Sequence, residues 1–88
     1  MIEQIYAISL PQGPLGLTLE NILERTIVVS IKPQGLASQA GVEPYSWLVG
    51  INGWSIVHLT HKETLLTLGR ASRPLVLRFL LLTSPAMC

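Results

Sequence analysis

Eighty-eight residues, 49% of them hydrophobic, with a net charge of +1, make one folding unit near the lower size at which a single core holds without metals or disulfides. No uninterrupted apolar run exceeds that of residues 79–82, which is far too short to span a bilayer. The cations are scattered singly, so no basic stripe is offered to a phosphate backbone, and neither a membrane span nor nucleic acid is expected.

Along the chain, residues 5–10 alternate apolar with small or polar side chains, and Pro11, Gln12, Gly13 and Pro14 then break them, which predicts a strand and a loop. Leu15 resumes extended character. In Leu17, Thr18, Leu19 and Glu20 the leucines share one face, the pattern of a half-buried strand. Residues 21–25 read as a connection. Residues 26–31, rich in β-branched side chains, give the strongest strand signal before Pro33-Gln34-Gly35. Leu36 to Ala40 then allow one or two helical turns stopped by Gly41.

Residues 47–51 predict a fourth strand, and Asn52-Gly53 is the pair favoured in a tight hairpin, with residues 54–56 as a short return. Thr60-His61-Lys62-Glu63 fits the capping box S/T-x-x-E, so a helix is expected from His61 to about Arg70 or Ala71, with Pro74 beyond its end. Leu75, Leu77 and Phe79 alternate with Val76 and Arg78 as a last strand. Residues 84–88 are expected to form a disordered tail behind a domain of residues 1–83. Cys88, the lone cysteine, excludes an internal disulfide and suits a reducing cytoplasm, and no signal peptide is legible at the start.

Four features now agree in order and spacing: Pro14-Leu15-Gly16-Leu17, Leu36-Ala37-Ser38-Gln39-Ala40-Gly41, Leu48-Val49-Gly50-Ile51-Asn52-Gly53, and the helix that Thr60-His61 opens. Together they resemble a PDZ domain over roughly residues 5–80. The resemblance implies a mainly β fold with two helices (α+β), a partly open antiparallel barrel or sandwich of five to six strands. It departs at Tyr45-Ser46, where the family usually has Gly-Asp, at Ser72, where the second helix commonly ends in glycine, and in having no Lys or Arg before Leu17.

The function implied is a protein–protein interaction module that binds the C-terminal tail of partner proteins by strand addition. Consecutive backbone N–H groups at Leu15, Gly16 and Leu17 would receive the terminal carboxylate, and glycine in the middle keeps side-chain bulk away. Leu17, Thr18, Leu19 and Glu20 would pair with the incoming chain. By the resemblance, Leu15, Leu17, Leu19, Leu65 and Leu68 would enclose an aliphatic last side chain, whereas their spacing alone favours ordinary core packing. By the resemblance, His61 faces the third-from-last ligand residue, which implies ligands ending Ser/Thr-x-aliphatic. Thr18 and Ser30 are possible accessory contacts. His58 reads as a surface residue.

The five acids are all glutamates, and no nucleophile sits on a recognisable elbow, so no enzyme is expected. Two histidines and one cysteine make no metal pattern, no phosphate-binding glycine loop is present, and no cofactor is implied. Expected partners are C-terminal peptides of receptors, channels or signalling enzymes, in a cytoplasmic scaffold or adaptor, monomeric or weakly self-associating, that reaches the inner face of membranes through them. The alternative is a self-associating structural module whose groove is unused or internally occupied. Tyr45, Trp47 and Trp54 would either form a second contact patch or cover the core.

Overall fold

The computed structural model describes residues 2–83, with side chains for 3–82; the tail at 84–88 lies outside the described residues. The elements are β1 (Ile2–Leu10), β2 (Leu17–Ile22), β3 (Arg25–Ile31), α1 (Leu36–Ala40), β4 (Trp47–Ile51), β5 (Trp54–Ser55), α2 (His61–Arg70) and β6 (Leu75–Thr83). They appear in the expected order. All strand pairs are antiparallel, in the order β1-β6-β4-β3-β2, with β5 added to β4. The fold is thus an open six-stranded sheet with two helices, and β2 occupies one of its edges.

Period-two alternation decides which side chains go inside. From β6, Leu75, Leu77, Phe79 and Leu81 are buried, while Val76 and Leu82 stay out in solvent. Ile8 and Leu10 of β1, Val28 of β3, and Leu48 and Ile51 of β4 meet them, and Ala37, Val42 and Ile56 complete the cluster. No helix of the described residues is long and apolar enough to cross a membrane.

Several boundaries differ from the expectation for identifiable reasons. β1 and β6 run to Ile2 and Thr83 because they pair in continuous register, so that Glu3 and Gln4 are carried by the ladder although they break the apolar pattern. Tyr45, in the place of a glycine, takes φ +69, and its N–H donates to the Val28 carbonyl, while the Val28 N–H donates to the Ser46 carbonyl at 2.9 Å. Those bonds hold the turn without glycine. At the end of α2, Ala71 is extended (φ −69, ψ 144), so no left-handed residue, and hence no glycine, is needed near Ser72.

The connection predicted over residues 21–25 is in fact a two-residue turn, because Ile22 pairs with Arg25. Leu23 and Glu24 have φ of +54 and +62, the left-handed pair that Asn-Gly usually supplies and that Asn52 (+48) and Gly53 (+87) do supply in the β4–β5 hairpin. The strain is offset locally. Asn21 Oδ1 accepts the Glu24 N–H at 2.8 Å, and its Nδ2 donates to Glu24 Oε2 at 3.0 Å. Leu23 is 88% exposed and buries almost nothing there. Leu23→Gly is therefore expected to raise the unfolding free energy by roughly 0.5–1 kcal/mol through relief of left-handed strain, read as a higher urea midpoint.

Candidate functional site

The loop from β1 to β2 approaches backbone to backbone against the start of α1. Gly16 has φ +76, and a Cβ there would stand 3.3 Å from Gly35 Cα. The Leu15 carbonyl accepts the Ala37 N–H at 2.9 Å, and the Gly16 carbonyl accepts the Lys32 N–H at 2.8 Å. With both carbonyls engaged inward, the Leu15 and Gly16 amides donate to no acceptor among the described residues. Unpaired consecutive N–H groups make a concavity suited to an anion.

Downstream of the loop, β2 pairs with β3 on one side only, so its other edge offers main-chain donors and acceptors. A bulge between Thr18 and Leu19 shifts its register. Thr18 lies opposite Ser30, both exposed, whereas Leu17 lies opposite Ile31 and Leu19 opposite Val28. Leu15, Leu17, Leu19 and Leu68 are half-buried against the core cluster. Leu65 is 42% exposed, so the fifth predicted pocket residue is more open to solvent than the other four. The buried position of α2 is Thr64, with His61, Leu68 and Ala71 on the same inward side.

α2 begins at His61 because the capping box forms as its residues prescribe. Thr60 Oγ1 accepts the Glu63 N–H at 3.1 Å, and Glu63 Oε1 accepts the Thr60 N–H at 2.9 Å. Two further residues hold His61 that its local sequence does not reveal. Glu24 Oε1, from the β2–β3 turn, accepts the His61 N–H at 3.2 Å, and Thr26 Oγ1, on β3, lies 2.9 Å from His61 Nδ1. The Asn21 bond, followed by the His61 N–H, holds the Glu24 carboxyl below the usual carboxylate range. That tie between turn and helix is therefore present at neutral pH and fades as pH falls through the lowered value. An acidic residue beside a helix start is favourable, but one contributed from a distant turn has no local sequence signal.

A cation also reaches the loop, from a segment the sequence does not suggest. Arg73, between α2 and β6, donates to the Pro11 carbonyl at the start of the β1–β2 loop. Tyr45, Trp47 and Trp54 do not converge on one patch. Tyr45 and Trp47 line one cleft with Arg25, whose guanidinium sits 4.7 Å from the Trp47 ring centroid, while Trp54 lines others. Tyr45 and Trp54 are 71% and 78% exposed and so do not cover the core.

A comparison of the sequence with protein-family models gives no match, and no curated protein matches it. Solved structures do match in shape. The PDZ domain from choanoflagellate SHANK1, bound to a GIRK3 peptide, superposes with a TM-score of 0.85 at 20% identity, covering 97% of this chain and 100% of that one. The fourth PDZ domain of MUPP1 gives 0.81 at 18% identity, over 94% of this chain and 80% of that one. The second PDZ domain of Dlg1 from the choanoflagellate Monosiga brevicollis gives 0.75 at 21% identity, over 86% and 90%. The resemblance first visible in the four motifs is borne out in three dimensions, and the chain has the PDZ fold.

Proposed function

We propose that this chain is a protein–protein interaction module that takes the C-terminal tail of a partner protein as an added strand beside β2. The observation that carries this reading is the coincidence of two unsatisfied features: free amides at Leu15 and Gly16, and the unpaired edge of β2 that starts immediately after them. A terminal carboxylate satisfies the first, and the backbone leading into it satisfies the second. Further support comes from the similar SHANK1 domain having been solved with a peptide bound.

In the proposed register, Leu15, Leu17, Leu19, Leu65 and Leu68 surround an aliphatic last side chain, whose burial contributes roughly 1.5–3 kcal/mol. His61 meets the third-from-last residue and favours Ser or Thr, while Thr18 and Ser30 flank the residue between. Ordering a short tail offsets much of this gain, so affinity is on the order of micromolar. Such affinity suits reversible scaffolding of cytoplasmic tails of receptors, channels or signalling enzymes.

The test is a pair of peptides ending Ser-x-Val, identical except that one terminus is amidated. Hydrogen bonds to a charged acceptor contribute about 1.5–3 kcal/mol, so amidation is expected to weaken binding roughly ten- to hundredfold in fluorescence anisotropy. Equal binding of the two peptides would sink the reading.

A further inference from the structure

The contact between β3 and the first residue of α2 bears on which ring nitrogen of His61 carries the proton. Thr26 is 2% exposed, and His61 Nδ1 lies 2.9 Å from its hydroxyl oxygen. A buried hydroxyl proton needs an acceptor, and among the described residues no other side-chain or loop acceptor bonds it. If Nδ1 held the proton, the bond would run from ring to hydroxyl and the Thr26 proton would be left unpaired in the interior. Such an arrangement is disfavoured by roughly tenfold or more. With the Thr26 O–H donating into the Nδ1 lone pair, the ring proton belongs on Nε2.

Two further bonds fix the frame in which this happens. The His61 N–H is held by Glu24 Oε1, and the helix start is closed by the capping box of Thr60 and Glu63. Backbone N–H and Nδ1 are thereby tied to separate partners on the β2–β3 hairpin. Nε2 is the one polar atom of His61 outside the helix's own bonds that has no partner among the described residues.

We infer that Thr26 is a positioning residue that fixes His61 as an Nε2–H donor, so that the groove selects the third-from-last ligand residue as a hydrogen-bond acceptor. This rests on the tail-binding reading and refines it. A serine or threonine is then recognised through its oxygen lone pair rather than through its proton. The Glu24 carboxylate, bonded from the β2–β3 turn to the His61 N–H, disfavours a second negative charge beside that helix start, which leaves neutral acceptors as the preferred class.

The deciding measurement is made on the free chain with ¹⁵N-labelled histidine, at alkaline pH, from the long-range ¹H–¹⁵N correlation pattern of the His61 ring. A dominant Nε2–H tautomer is expected, with the exposed His58 as an internal reference. A dominant Nδ1–H ring would overturn the assignment whether or not any peptide binds.

The second arm uses peptides ending Ser-x-Val and Ala-x-Val. Thr26→Val is expected to move the tautomer balance toward that of His58 and to lower the preference for Ser over Ala by about two- to tenfold, with Thr26→Ser restoring both. A folded Thr26→Val protein with unchanged tautomer and unchanged preference would remove Thr26 from the role. Should Thr26→Val not fold, Thr26→Ser must reproduce the wild-type ring pattern, and a different pattern would count against the inference. Failure of every free-carboxylate peptide to bind would bring down the tail-binding reading and leave the tautomer result to stand or fall alone.

Discussion

Truncating Phe79 to alanine is expected to lower the unfolding free energy by about 3–5 kcal/mol, the range for losing a fully buried aromatic ring. Phe79 is 0% exposed and sits in β6, the strand that joins β1 to β4. Its ring stacks on Tyr6 with centroids 5.4 Å apart, and the Tyr6 hydroxyl meets Ser46 Oγ and accepts the Glu43 N–H. Ser46, fully buried, donates in turn to the Glu43 carbonyl at 2.8 Å. Removing the ring therefore leaves a cavity under the group that orders residues 43–46. For a chain of 88 residues the whole stability is roughly 4–13 kcal/mol, so about a quarter of it or more is at stake. Urea denaturation checks this, and a midpoint shift equivalent to less than about 1 kcal/mol would contradict the placement of Phe79 at the centre of the core.

Gly16→Val is expected to cut capture of a free-carboxylate peptide by more than about tenfold while leaving a folded chain. A β-branched residue at φ +76 carries strain of roughly 1–3 kcal/mol. The neighbour it would strike at 3.3 Å is Gly35 Cα, which is backbone and has no rotamer to yield. The loop has to leave the left-handed conformation or move off α1, and either change rotates the Leu15 and Gly16 amides out of line. Circular dichroism establishes the fold, and anisotropy with a peptide ending Ser-x-Val measures the loss. Full retention of binding in a folded variant would mean that those amides do not hold the carboxylate.

What could be read in advance divides along the range of the interactions. The capping box at Thr60 and Glu63 and the Asn52-Gly53 turn are local, with the whole cause lying within a few residues, and both form as read. The β2–β3 turn was hidden because Leu23 and Glu24 carry no turn signature; Asn21 stabilises it from outside, and Glu24 is also anchored on α2. Arg73 escaped a search for cations before Leu17 because antiparallel pairing of Leu10 with Leu75, not sequence proximity, brings it to Pro11. Leu65 looked equivalent to Leu68 by helical spacing. Rotation of α2 about Thr64 makes them differ, and that depends on how the helix sits over β3. The start of α2 at His61 was legible from its capping box, while Glu24 and Thr26, which bond His61 from β3 and the turn before it, were not.

The register between β1 and β6 sets where Ile2 and Thr83 lie relative to the β1–β2 loop. Ile2 stands opposite Thr83, at the end of the ladder away from Leu10, which leads into the β1–β2 loop. Eight strand steps at about 3.3 Å put roughly 26 Å between that exit point and the loop entrance. Ile2 and Thr83 thus leave the ladder side by side, and chain running on from either one starts at the end remote from the β1–β2 loop.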